Sequence, residues 1–198
     1  WIAVLASGRG SNFQALIDAV RAGSIPASIV RLITDNPDAA AIRRAREAGI
    51  PVSVLAFGSF PSKEAYEAAL KREMEDCDAD LYVLAGYMRI VPPAIVKAFP
   101  GRIMNIHPAL LPSFPGLHAQ RQALEYGVRV SGCTVHFVDE GTDTGPVILQ
   151  RCVPVEKGDD EEGLSARILV EEHRILAEAV RLFCQGKIRL FGRKVTIR

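Results

Sequence analysis

The stretch Ile2-Ala-Val-Leu-Ala-Ser-Gly-Arg-Gly-Ser-Asn-Phe13 sets a short apolar run directly against a glycine-containing turn. Beyond it Phe13, Leu16, Ile17 and Val20 recur at helical spacing, so the segment reads as strand, turn, helix. The same alternation continues downstream. Ser28 to Thr34 reads as a strand, Asp38 to Ala48 as a helix stopped by Gly49 and Pro51, and Pro51 to Leu55 as a third strand. Ser62 is placed to cap a helix running to about Cys77, and Asp80 to Ala85 is apolar almost throughout, as in a strand covered on both faces. A helix over Pro92 to Ala98, with proline in its first turn, leads to a fifth strand over Arg102 to Ile106. Strands joined by helices predict right-handed crossovers, a parallel sheet and ligands at the carboxyl ends of the strands.

The pattern then changes. A proline-rich loop, His107 to Gly116, precedes a helix from about His118 to Tyr126. Val128 to Val138 and Pro146 to Val155 are β-rich runs flanking the acidic loop Asp139-Glu-Gly-Thr-Asp143-Thr-Gly. A long helix follows from Asp159 to Cys184, with acidic residues at its start where the helix dipole favours them, and Lys187 to Arg198 reads as a short strand or hairpin. The expected fold class is α/β: a doubly wound, mostly parallel, Rossmann-like sheet with a β-rich C-terminal part and a long C-terminal helix. One domain over 1–198 is expected, since 198 residues correspond to roughly 1.3 domains of average size.

With 48% apolar and 24% charged residues the chain buries a sizeable core without disulfides or structural metal. Lys plus Arg number 24 against 23 for Asp plus Glu, so nothing in the overall charge points to nucleic acid or a membrane surface, and an anionic ligand must be caught locally. Cys77, Cys133, Cys152 and Cys184 form no CxxC pair and read as reduced, partly buried thiols. With neither a signal peptide nor a long apolar span, the expected location is cytoplasmic.

Three groups of residues carry candidate chemistry. Gly8-Arg-Gly-Ser-Asn-Phe13 presents backbone N–H groups at a helix N-terminus, a cradle for phosphate, or else a tight turn that needs glycine. As a dinucleotide motif it lacks its third glycine, where Phe13 stands, although Asp35 after the second strand imitates a ribose-binding acid. Asn105 and His107 lie two apart at a strand end and so face the same side. An amide donor and an imidazole there suit oxyanion stabilisation and proton transfer, the alternative being an ordinary hydrogen-bonded strand end. The acidic loop places three carboxylates within five residues, read either as a solvated turn or as the source of a carboxylate that orients the histidine and raises its pKa. Its spacing is not that of a calcium loop, so no metal is expected. His136 reads as a core or supporting histidine, and no nucleophile motif accompanies the cysteines.

Ser7-Gly-Arg-Gly-Ser-Asn12, Ala85-Gly-Tyr-Met-Arg89, Asn105-Ile-His-Pro-Ala-Leu-Leu-Pro112, Pro115-Gly-Leu-His118 and Asp143-Thr-Gly-Pro-Val-Ile148, in that order, closely resemble the phosphoribosylglycinamide formyltransferase family over nearly the whole chain. The resemblance implies transfer of a formyl group from the co-substrate 10-formyltetrahydrofolate to the amine of glycinamide ribonucleotide in de novo purine biosynthesis, by direct attack through a tetrahedral intermediate. It implies Asn105, His107 and Asp143 as catalytic residues, and Gly10, Ser11, Asn12, Phe13 and Glu172 at the ribonucleotide. It places Lys63, Met88, Arg89, Ile90, Val91, Asn105, Asp139, Glu140, Gly141, Thr142 and Asp143 around the folate. Residues 1–106 then form a phosphate-binding half and 107–198 a folate-binding and catalytic half. Lys63 stands where many relatives carry arginine, so a bidentate grip on the folate tail is not expected from it. Small molecules are the expected partners, with no nucleic acid or membrane, in a monomer or homodimer. The rival reading is a Rossmann-type nucleotide-binding module or dehydrogenase built on Gly8, Gly10 and Asp35.

Overall fold

The computed structural model describes residues 1–198, which divide into two compact units, Trp1–Met104 and Asn105–Arg198. In the first unit β1 (Ile2–Leu5), α1 (Ser11–Arg21), β2 (Ile29–Thr34), α2 (Ala41–Glu47), β3 (Val52–Val54), a single 3₁₀ turn (Phe57–Ser59), α3 (Lys63–Cys77), β4 (Leu81–Leu84) and α4 (Pro93–Ala98) follow one another. Strands β3, β2, β1 and β4 lie side by side in that order, every neighbouring pair parallel. The chain therefore winds outward from β1 to β3 and returns to β1's other side for β4. Right-handed crossovers put α1 and α2 on one face and α3 on the other, and α1 and α2 pack against each other.

The reversal of winding direction between β1 and β4 creates the crevice at their carboxyl ends where α/β folds bind ligands. Burial follows the sequence pattern. β1 and β4 are buried at every residue, and α1 turns Phe13, Leu16 and Ile17 into the core. Each fully buried Val, Leu, Ile or Phe among them contributes about 1.5–3 kcal/mol relative to exposure. Helix α3 buries Tyr66, Leu70 and Met74 and starts at a Ser62 cap, whose hydroxyl accepts from the Ala65 N–H at 3.1 Å.

Strand β5 (Ile103–His107) runs across the division between the units. The second unit continues with α5 (Ala119–Tyr126), β6 (Val130–Phe137), β7 (Val147–Pro154), α6 (Glu161–Cys184), β8 (Ile188–Phe191) and β9 (Lys194–Ile197). β6 and β7 pair antiparallel, α6 packs on both, and β8 and β9 form a separate hairpin. Asp160 caps α6 by accepting from the Gly163 N–H at 2.8 Å, with Glu161 and Glu162 in its first turn. The chain is an α/β fold with a mixed, mostly parallel strand arrangement, a β-rich C-terminal region and a long C-terminal helix.

Three local expectations change. Helix α2 begins at Ala41 rather than Asp38, because the Asp38 N–H donates to the Asn36 side chain at 3.0 Å and Asn36-Pro37-Asp38 forms a turn instead of a first helical turn. Strand β5 extends to His107, which therefore belongs to the sheet and not to the loop. Cys152 is exposed while Cys133 is buried and Cys77 and Cys184 are half-buried; it falls on a solvent-facing position of antiparallel β7.

Gly10 has a conformational reason of its own. Its φ is +70°, and a Cβ there would sit 2.8 Å from the Ala41 Cβ, whereas a Cβ on Gly8 meets nothing within 4 Å. Gly10→Ala is expected to lose about 1–3 kcal/mol to left-handed backbone strain, with overpacking against α2 adding to it. Gly8→Ala stays within about 0.5 kcal/mol of the parent. Thermal unfolding of the two variants measures the difference, and equal melting temperatures would contradict it.

Candidate active site

The first unit offers an anion site at the start of α1. The N-cap residue Gly10 has no side chain with which to cap, and no side-chain cap is made. The first turn closes through the Gln14 N–H on the Gly10 carbonyl at 2.9 Å, which leaves the N–H groups of Ser11, Asn12 and Phe13 without intrahelical acceptors. With the helix dipole behind them they form a phosphate-type cradle. Asn12 is buried and the Phe13 ring lies wholly in the core, so any role of Phe13 at a ligand belongs to its backbone.

Beside this turn, the carboxyl ends of β1, β2 and β4 are joined by polar bonds. The Ser7 hydroxyl donates to Asp35 Oδ1 at 2.5 Å and accepts from the Met88 N–H at 2.9 Å. The Arg89 Nε donates to Asp35 Oδ2 at 2.7 Å, and the guanidinium lies 3.6 Å over the Phe57 ring. A cation–π contact of this kind contributes about 0.5–2 kcal/mol, depending on its desolvation. Both Asp35 oxygens are thus engaged with protein groups, which removes the ribose-binding acid that the dehydrogenase reading requires. Met88 and Ile90 are 63% and 70% exposed while Val91 is buried, so the strip alternates outward and inward. Lys63 opens α3 on the surface and pairs with Glu67 at 3.5 Å.

In the second unit Asn105, His107 and Asp143 converge. Strand alternation sends Asn105 and His107 to one side, and the two Asp143 oxygens meet one each: Oδ1 lies 3.4 Å from Asn105 Nδ2 and Oδ2 lies 3.4 Å from His107 Nδ1. The Gly116 N–H donates to Oδ2 at 2.7 Å and anchors the carboxylate from the proline-rich loop. His107 Nε2 lies 2.8 Å from the Phe114 carbonyl. A carbonyl only accepts, so Nε2 carries a proton. On His136, Nδ1 lies 2.8 Å from the Phe137 carbonyl and must donate, so in the neutral ring Nε2 accepts from Asn105 Nδ2 at 3.1 Å. That assignment fixes which end of the Asn105 amide carries the N–H groups, and it gives His136 the supporting role anticipated for it.

The charge state of His107 departs from expectation. Burial disfavours the imidazolium and holds the pKa below its ordinary value near 6.5; the Phe114 carbonyl and the Asp143 carboxylate push upward without overcoming burial, and His136 adds to the lowering. The expectation that Asp143 would raise the histidine above its ordinary value is therefore wrong in sign, although the pair exists. Burial pushes Asp143 up as well, but the facing His136 ring, the Gly116 N–H and His107 outweigh it and hold the carboxyl below its ordinary value.

The acidic loop is internally organised. Asp139 Oδ1 accepts from the Gly141 N–H at 3.1 Å and from the Thr144 hydroxyl at 2.6 Å, and Asp143 has a φ of +54°. Arg193, from the turn between β8 and β9, donates to the Thr144 carbonyl at 2.6 Å. Nothing in the basic C-terminal sequence distinguishes this arginine from its neighbours; only the fold of the hairpin onto β7 brings it there. Glu140, Gly141 and Thr142 are exposed. Glu172 is buried on α6 near Cys133, whose thiol burial and this carboxylate push up to about 12. No three His, Cys, Asp or Glu side chains form a group able to hold a metal ion. No helix is long and apolar enough to cross a membrane.

Comparison with known proteins gives the constellation a context. Residues 1–180 match the family model described as formyl transferase. The chain is 45% identical over 189 residues to phosphoribosylglycinamide formyltransferase of Escherichia coli (strain K12), covering 96% of this chain and 89% of the relative. The crystal structure of glycinamide ribonucleotide transformylase 1 from Symbiobacterium toebii superposes with a TM-score of 0.96 at 52% identity, covering 99% of this chain and 92% of that one. Similarity extends to the trifunctional purine biosynthetic protein adenosine-3 of Drosophila pseudoobscura pseudoobscura, 48% identical over 190 residues, of which this chain spans only 14%. An Asn, a His and an Asp gathered at the end of β5, within a chain matched over nine-tenths of its length, place this protein in the formyl transferase family.

Proposed function

We propose that the protein transfers the formyl group of 10-formyltetrahydrofolate to the amine of glycinamide ribonucleotide, in purine biosynthesis. The observation that carries this reading is the single Asp143 carboxylate facing both the Asn105 amide and the His107 ring. The first turn of α1 takes the ribonucleotide phosphate, the Met88–Val91 strip and the 139–143 loop take the folate, and Glu172 serves the amine. In this reading residues 1–106 hold the phosphate-binding half and 107–198 the folate-binding and catalytic half. The small-molecule substrates and free cysteines suit a cytoplasmic enzyme.

The amine attacks the formyl carbon, a C–N bond forms, and the carbonyl oxygen becomes an oxyanion. Asn105 donates to that oxyanion by exchanging its longer bond, to Asp143 at 3.4 Å, while the 3.1 Å bond to His136 holds the amide in place. His107, neutral at the start, takes the proton that the amine loses and returns it to the folate nitrogen as the C–N bond to the folate breaks. The imidazolium formed in between faces two acceptors, the Asp143 carboxylate and the Phe114 carbonyl. Asp143 thus contributes most when the charge is transient, which is the condition for lowering a barrier rather than tightening substrate binding.

A direct assay of tetrahydrofolate release with both substrates tests the activity, and no turnover with glycinamide ribonucleotide would refute it. In that assay Asn105→Ala is expected to lower kcat by about 10² to 10³, the loss typical of one oxyanion donor. An effect confined to KM would contradict the assignment.

The histidine makes a separate prediction. By NMR titration the His107 ring protonates below its ordinary value near 6.5, and lower again in Asp143→Asn, which removes a group that favours the charged ring. Because the unfolded chain takes up this proton first, the contribution of neutral His107 to stability is complete above about pH 6.5 and declines as the pH falls toward its folded pKa. A ring that titrates above the ordinary value would overturn the charge assignment.

A further inference from the structure

Between β4 and α4, residues 85–92 form no helix or strand, so no regular ladder fixes their shape and other bonds must do so. We infer that Asp35 is a positioning residue for this strip: through the Ser7 hydroxyl and the Arg89 guanidinium it sets which side chains of Met88–Val91 face outward. The inference rests on the proposed assignment of the strip to the folate. Asp35 itself touches no part of the reaction.

The bonds converge on one carboxylate. The Ser7 N–H donates to the Gly86 carbonyl at 3.0 Å, the Ser7 hydroxyl accepts from the Met88 N–H at 2.9 Å, and the same hydroxyl donates to Asp35 Oδ1 at 2.5 Å. Asp35 Oδ2 receives the Arg89 Nε at 2.7 Å. Residues 86, 88 and 89 are therefore each tied to the Ser7–Asp35 pair. Asp35 is only 9% exposed, and a carboxylate so placed is costly unless it is paired and hydrogen-bonded. That cost enforces the arrangement: Arg89 must turn inward to Asp35, where Phe57 supports its other face.

With Arg89 and Val91 drawn inward, Met88 and Ile90 point out, and these two apolar side chains are among the most exposed in the protein. Releasing Arg89 removes what specifies that alternation. The Asp35 side chain thus acts on the folate surface from just beyond the carboxyl end of a different strand, β2. An uncharged amide at position 35 retains similar volume but offers only one acceptor for two donors.

Isothermal titration with tetrahydrofolate, steady-state kinetics and thermal unfolding of Asp35→Asn, Ser7→Ala and Ser7→Thr test this. Loss of the charge-assisted bonds is expected to raise the Kd for tetrahydrofolate about tenfold in Asp35→Asn and by a smaller factor in Ser7→Ala. Ser7→Thr, which keeps the hydroxyl, restores binding, and the KM for glycinamide ribonucleotide stays within about twofold throughout. A merely structural role would instead lower the melting temperature and impair both substrates together, and that outcome, or an unchanged folate Kd, overturns the inference. If Asp35→Asn does not fold, Ser7→Ala and Ser7→Thr decide. Ile90→Asp, on the outward face of the strip, separates this from the reading beneath it. Folate binding lost in Ile90→Asp but kept in Asp35→Asn and Ser7→Ala removes only the positioning role, whereas binding kept in Ile90→Asp removes the folate assignment of the strip as well.

Discussion

A carboxylate with two oxygens and four neighbours organises the second unit. Asp143 faces Asn105 and His107 from strand β5, His136 from strand β6 and the Gly116 N–H from the proline-rich loop, so strands, loop and acidic turn are referred to one group. Its left-handed backbone is tolerated more readily by aspartate than by most residues. The loop around it compensates through the Asp139 bonds to Gly141 and Thr144 and through Arg193 on the Thr144 carbonyl. Strain held in place by surrounding bonds at the proposed reacting centre is the arrangement expected where geometry matters more than stability.

A parallel logic governs the first unit. Parallel strands leave unsatisfied groups at their carboxyl ends, and the switch of winding direction between β1 and β4 gathers those ends at one edge. One part of this edge carries the proposed phosphate cradle, where α1 begins with a residue that has no capping side chain. Another part is closed by the protein itself, where Ser7, Asp35 and Arg89 satisfy one another. The same edge thus supplies the backbone donors of the proposed anion site and a rigid frame for an exposed apolar strip.

Much of this was readable in the residues. The alternation of apolar runs with 3.6-spaced segments, together with the Ser62 cap and the prolines at 51 and 92, placed the strands and helices of the first unit. It failed at Asp38, where side-chain competition for the backbone is local and leaves the pattern untouched. Asn105 and His107 were legible because two residues on one strand share a face. A loop carboxylate orienting the histidine was one of two readings of the acidic loop, but that Asp143, 36 positions beyond His107, is the residue came from the resemblance, since no local rule reports a contact across that separation. Arg193 was invisible for the same reason, as was the occupation of Asp35, which resembles a ribose-binding acid until its partners are known.

The sign of the His107 shift shows where pairwise reasoning from sequence stops. A carboxylate near a histidine raises its pKa when both are solvated, but here the ring is buried, and the cost of taking a charge out of water grows faster than the attraction of an anion 3.4 Å away. A neutral resting histidine also suits the proposed reaction better than a charged one. An imidazolium has no lone pair with which to accept the amine proton, so attack would have to begin with its deprotonation. A neutral ring accepts that proton as it is released, and the Asp143 carboxylate, of little use to the neutral ring, becomes stabilising at the moment the charge appears. In the proposed reaction, burial that disfavours the charged ring therefore leaves the histidine ready as a base, with the carboxylate already in place to hold the charge it acquires.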